Sequence, residues 1–215
     1  MKKIGNRTFV FSQPISISSY AAIGGKKEKQ GPLGKYFDIC FEDELLGEDS
    51  FEKAESRLQQ FAVNKALTKG DYSPEDIDVI FAGDLLNQCI SSTFGLMDFG
   101  IPFAGLYGAC STMVLGLIMS AMSVSAGAKN TLTVTSSHFC SSERQFRFPL
   151  EYGGQRTPTA QWTATASGAA VVSQGNGNIN LAATTIGKIV DLGVSDANNM
   201  GAAMAPDDVK IRPYP

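Results

Sequence analysis

One histidine, one tryptophan and four cysteines are all that these 215 residues hold of three rarer side-chain types. The cysteines, at 40, 89, 110 and 140, form no CxxC pair and have no histidine cluster beside them, so neither a zinc site nor a disulfide scaffold is expected, and a reducing compartment fits. An excess of charge of either sign is also missing. Eighteen basic residues stand against 21 acidic ones, a formal net charge of −3, which gives no global attraction to nucleic acid or to an anionic membrane. No nucleic-acid partner is expected. The opening MKKIGNRTFVFSQPIS has two lysines but no sustained apolar core and no cleavage site, so it does not read as a secretory signal and a soluble protein is expected.

Charge is also absent from a largely apolar run between Asp98 and Lys129. A membrane span needs about 20 apolar residues, usually dense in Leu, Ile, Val and Phe. Here Pro102, Gly100, Gly105, Gly108 and the serines at 111, 120, 123 and 125 break the run, so it reads as a strand, a turn of small residues carrying Cys110, and a helix. A helix without a charged face has nothing to offer water and is expected to be buried on all sides, with the rest of the chain wrapped around it. Its first turn, at Cys110, would present unpaired N–H groups and the positive end of the helix dipole to an anion.

Around that core the chain alternates. Thr8–Phe11 and Ile15–Ala22 read as strand material interrupted by Pro14, and residues 26–49 as a surface excursion whose Lys26, Lys27 and Lys29 form either a receptive basic cluster or a solvated loop. Apolar residues at 51, 54, 58, 61, 62 and 67 predict an amphipathic helix from Ser50 to Lys69, capped by Asp49 or Ser50 and stopped by Gly70. Residues Ile77–Ala82 predict a buried strand, Leu85–Phe99 a less regular helix, and Asn130–Ser137 a further strand. Two antiparallel strands, Ser167–Ser173 and Ile179–Lys188, are expected to join across a turn at 174–178.

Strand–helix alternation implies an α/β fold with a mixed, mostly parallel sheet, in which ligands gather beyond the carboxyl ends of the strands. Asp84, Cys110 and His138 each follow a predicted strand and are expected to face one crevice. Each also has a plainer reading: Asp84 as a helix cap after Gly83, Cys110 as an inert thiol, His138 as a satisfied strand-end residue. For Cys40, Cys89 and Cys140 the inert reading is preferred. The aperiodic stretch after His138, with Arg144, Arg147, Tyr152, Arg156 and Trp162, suits a pocket lining or a surface loop held by its aromatics.

GLYGACSTMVLGL, set after DVIFAGD and followed by NTLTVTSSHF and TASGAAVVS, resembles the amino-terminal half of the thiolase-like superfamily of condensing enzymes, which includes thiolases and β-ketoacyl synthases. Within it, AGDLLNQ at 82–88, YGACSTM at 107–113, the stretch 136–163 and MGAAMAP at 200–206 resemble the stage V sporulation protein AD family of spore-forming Firmicutes, through about Pro206. The resemblance implies a thiolase-like fold, layered α-β-α-β-α when complete and centred on a helix starting at Cys110. It implies binding of dipicolinic acid (pyridine-2,6-dicarboxylate) and a part in its uptake into the developing spore. The expected partners are this ligand, the membrane proteins of stage V sporulation and a second copy in a homodimer, with the protein soluble or peripheral at the forespore inner membrane. No cofactor is expected, Ca²⁺ entering only as the chelate of dipicolinate.

Residues 1–206 correspond on this resemblance to the amino-terminal domain and 207–215 to a divergent tail, and the carboxyl-terminal half is expected to be missing. A lone half would expose apolar surface, and either self-association or an incomplete site is expected. Cys110 matches the acyl-accepting thiol of condensing enzymes, while His138 does not match their usual catalytic histidine. A dicarboxylate pocket could draw on the helix start at Cys110, His138, Arg144, Arg147 and Arg156, with Asp84 orienting His138, assisting a chelated metal, or merely capping. Two functions follow, a non-catalytic dipicolinate-binding protein or an acyltransferase using Cys110 on a CoA or carrier-protein thioester, with a purely structural partner subunit as a third.

Overall fold

The computed structural model describes residues 1–146, 163–175, 177–191 and 193. In chain order the elements are β1 (Lys2–Ile4), β2 (Thr8–Val10), β3 (Ile15–Gly24), α1 (Lys26–Gln30), β4 (Ile39–Cys40), α2 (Phe51–Gly70), β5 (Val79–Gly83) and α3 (Ile90–Leu96). Then come β6 (Phe103–Gly105), α4 (Thr112–Ser125), β7 (Asn130–Ser137), α5 (Phe139–Phe146), β8 (Ala166–Gln174), β9 (Ile179–Asn180) and β10 (Ala183–Thr185). The main sheet runs β4-β3-β8-β7-β5-β6, with β9 paired to β3, and a second sheet runs β1-β2-β10. Strands β5, β6 and β7 are mutually parallel through β5, whereas β8 lies antiparallel between β3 and β7. The sheet is therefore mixed.

Helix α2 forms where the spacing predicted. Ser50 Oγ accepts from the Lys53 N–H, and the chain leaves the helix through Asp71 in the left-handed conformation. Its buried stripe of Leu58, Ala62, Val63, Ala66 and Leu67 packs on alternate residues of the sheet, including Ala21, Ile23, Leu132, Val134, Ala169 and Val171. The opposite sheet face carries α4. There the interface is built from small residues, Thr112, Gly116, Ser120 and Ala121, with Val124, and a Cβ on Gly116 would run into Thr133 Oγ1 of β7. This close approach is why the helix lies flat on β7.

The expectations for α4 and for the strands after residue 167 differ from the structure. Helix α4 is enclosed on one face only: Val114 is exposed, and Met113, Leu115, Leu117, Ile118, Met119 and Met122 are half-buried. Its strand, β6, is three residues long at the sheet's edge. The predicted hairpin of 167–173 with 179–188 does not form, because β8 pairs with β3 and β7 while β9 pairs with β3 and β10 with β2.

Candidate functional site

Gly83 ends β5 and lets the chain after β6 approach, since a Cβ there would run into the Leu106 carbonyl and press on Thr112 Cγ2. The Leu106 N–H donates to Ala82 O at 2.7 Å, and the turn that follows closes on itself. Ser111 N and Ser111 Oγ both donate to Gly108 O (3.0 and 2.7 Å), Gly108 N donates to Thr112 Oγ1 (3.1 Å), and Thr112 Oγ1 donates to Ala109 O (2.8 Å). Ala109 holds φ of +46°, a left-handed conformation uncommon for a residue with a Cβ. The result is an exposed Cys110 thiol just before α4, at the helix end that favours negative charge. No described residue hydrogen-bonds to its sulfur.

Asp84 and His138 do stand at the ends of β5 and β7, but both point into the protein. Asp84 is 2% exposed. Its Oδ1 accepts from Leu86 N at 2.8 Å, and its Oδ2 accepts from Ser92 N (2.8 Å) and Ser92 Oγ (2.6 Å). Three donors fix it as a carboxylate organising the segment 84–92. His138 is fully buried, with its ring against Phe51 at 5.2 Å between centroids. Its Nδ1 accepts from the Cys140 N–H (3.2 Å), so the proton resides on Nε2, which donates to Glu44 O (2.8 Å). Burial lowers its pKa below the ordinary histidine value and keeps it neutral. The structure thus gives these two residues internal partners and Cys110 the exposed position. Arg144 belongs to α5, but its side chain, like Arg147 and Arg156, lies outside the described residues.

A group that the sequence reading missed lies beneath these strand ends. Glu55, fully buried on α2, accepts from Ser136 Oγ (2.9 Å) and from Ser141 Oγ (2.8 Å). Gln59, one turn on, donates through Nε2 to Ser136 Oγ (2.8 Å) and Ser92 Oγ (2.9 Å). Two carboxylates, Glu55 and Asp84, are therefore joined through Ser136, Gln59 and Ser92, linking α2 to the ends of β5 and β7 and to α3 and α5. Burial raises the Glu55 carboxyl to about 7, against the two hydroxyl donors that favour its charge. The available signal was spacing: 55 and 59 share a helical face with 51, 58 and 62, which is the buried stripe.

Among the described residues no group of three or more His, Cys, Asp or Glu could hold a metal ion. Two shallow hollows, one around Ser16, Tyr20, Gln174 and Ile179 and one around Arg57, Asn64 and Phe99, include none of Asp84, Cys110 or His138.

The family model of stage V sporulation protein AD matches residues 5–212. The stage V sporulation protein AD of Bacillus subtilis (strain 168) is 45% identical over 207 residues, covering 96% of this chain and 61% of that protein, so the chain spans about three fifths of its relative's length. Among solved structures, the 3-oxoacyl-[acyl-carrier-protein] synthase III of Aquifex aeolicus VF5 superposes with a TM-score of 0.52 at 17% identity, over 76% of this chain and 55% of that one. Xanthomonas campestris OleA with bound cerulenin gives 0.52 at 15% identity, over 77% and 58%. At such identities the likeness shows the fold, which is thiolase-like. The chain belongs to the stage V sporulation protein AD family.

Proposed function

We propose that this sporulation-family chain binds dipicolinic acid without catalysing a reaction on it, as part of the apparatus that takes the compound into the developing spore. The observation that carries this reading is the division of labour at the strand ends: Cys110 is presented at the start of α4, while His138 and Asp84 spend their hydrogen-bonding capacity inside the protein. A condensing enzyme activates its thiol with a neighbouring base and stabilises an oxyanion. Among the described residues Cys110 has no such base. The turn instead offers a helix start to one carboxylate. Arg144, Arg147 and Arg156 supply guanidinium groups that can pair bidentately with the other, and Asp84 and His138 hold the strand ends from behind. Ca²⁺ enters, on this reading, only as the ligand's own chelate.

The protein works as a homodimer beside stage V membrane proteins, peripheral to the forespore inner membrane. No described helix is long and apolar enough to cross a membrane itself. Calorimetric titration with dipicolinate, with and without Ca²⁺, on the parent chain and on Cys110→Ala, tests the binding. Saturable heat that weakens in the variant is the expected result. The second reading, an acyltransferase, is favoured by the exposed thiol on a synthase-like fold. A covalent acyl adduct on Cys110 by intact mass, after incubation with acyl-CoA, would establish it in place of the first.

A further inference from the structure

We infer that Cys89 is the positioning residue of the Cys110 turn, holding the Leu106 carbonyl from beneath while Asp84 holds Cys89 in place. The inference rests on the reading of that turn as the binding site, and it concerns how the turn keeps its shape.

Cys89 is buried, and its Sγ lies 3.2 Å from Leu106 O. A carbonyl oxygen only accepts, so the thiol carries the proton and donates it. Burial and the nearby Asp84 carboxylate push the Cys89 thiol up from its ordinary pKa, which keeps that proton in place. Leu106 is thereby pinned at both ends of its peptide units: its N–H to Ala82 of β5, its carbonyl to Cys89. Six residues later the chain enters α4.

The thiol reaches Leu106 because the backbone beneath it is bent. Gln88 (φ 60°) and Cys89 (φ 51°) are consecutive non-glycine residues in the left-handed region, and such conformations persist only where surrounding contacts dictate them. Those contacts are on hand. Asp84 accepts from Leu86 N before the bend and from Ser92 N and Oγ after it, Cys89 N donates to Leu86 O (3.2 Å), and Thr93 Oγ1 donates to Cys89 O (2.8 Å). The chain of cause runs from the Asp84 carboxylate, through the bent segment and the Cys89 thiol, to the turn bearing Cys110.

Amide hydrogen exchange of residues 106–112, read by mass spectrometry on the parent chain, Cys89→Ala and Cys89→Ser, tests this. Loss of the donor in Cys89→Ala is expected to speed exchange in that segment by about tenfold, the worth of one buried hydrogen bond, while Cys89→Ser stays close to the parent because a hydroxyl can still donate. Unchanged exchange in Cys89→Ala, or equal acceleration in the serine variant, overturns the inference. Should Cys89→Ala not fold, the infrared S–H stretch of the parent, assigned to Cys89 by difference against Cys89→Ser, decides: a band lowered by hydrogen bonding supports the inference, and one at the frequency of an unbonded thiol overturns it. Failure of dipicolinate to bind the parent chain would sink the binding reading and leave this comparison standing.

Discussion

The two faces of the main sheet are completed to different degrees. On the side of α2, fifteen described residues from α2, β3, β5, β7, β8 and their surroundings form one buried apolar cluster. On the side of α4 only Ile15, Ala121, Val124 and Val172 among the described residues are fully buried together, and the larger side chains of α4 stay partly in water. Apolar content does not explain the difference, because α4 has no charged residue and α2 has several. What matters is the partner. Helix α2 sets Leu58, Val63 and Leu67 among its alanines against the sheet, while α4 presses Gly116, Ser120 and Ala121 against it and leaves its methionines, Leu115 and Ile118 partly in water. A helix is stabilised by the face it buries, and α4 has apolar surface left over.

The largest effect should come from the completed face. Leu58→Ala, at a fully buried site, is expected to cost about 3 kcal/mol in urea unfolding, and a loss below about 1 kcal/mol would mean that this face is packed more loosely than described. Next is the polar seam within the same face. The folded chain holds a proton on Glu55 up to about pH 7, whereas an unfolded glutamate releases it near 4.5. This group's contribution is therefore fully present below about pH 4.5, falls as pH rises toward 7, and is flat beyond. The fall is on the order of 3 kcal/mol by linkage and should vanish in Glu55→Gln, as measured by urea titrations across that range.

His138 acts in the opposite sense. Its lowered pKa makes stability fall as pH drops below the ordinary histidine value, so the Glu55→Gln variant should show that limb alone, and His138→Asn should remove it. On the other face, Gly116→Ala drives a methyl into Thr133 Oγ1 and is expected to cost about 1–3 kcal/mol, with no comparable loss for Gly127→Ser, whose surroundings are open, beyond the strain of its positive φ. The smallest effect is expected for Val114→Ser, on the outward side of α4: within about 0.5 kcal/mol for an isolated chain. A loss several times larger, growing with protein concentration in thermal melts, would show that a second molecule covers this side.

Local features were legible in the sequence, and contacts between distant segments were not. Ser50, the apolar spacing and Gly70 marked α2 to within a residue, and β7 was read at its observed limits because both depend on neighbours along the chain. The positions of Asp84 and His138 at strand ends, and of Cys110 just before α4, followed in the same way. Their orientation did not. Asp84 turns inward because Ser92 offers it two donors, and His138 because Glu44, from a loop nearly a hundred residues earlier, offers a carbonyl. Glu55 went unnoticed among the candidate residues, though spacing placed it on the buried stripe. The hairpin expected after residue 167 failed because strand pairing is chosen by the whole sheet: β8 found two long partners, and nothing in its own turn could reveal them.

The seating of β8 also dictates an order of events. Tyr20 pairs with Ala170, and β7 reaches β3 only through β8. As the ribosome delivers the chain from its amino end, β3 must wait with an open edge until residues far downstream emerge. Closure of the sheet is therefore a late, long-range step, slow by topology and exposed meanwhile to mispairing, so a nascent protein of this design gains from a chaperone held close by.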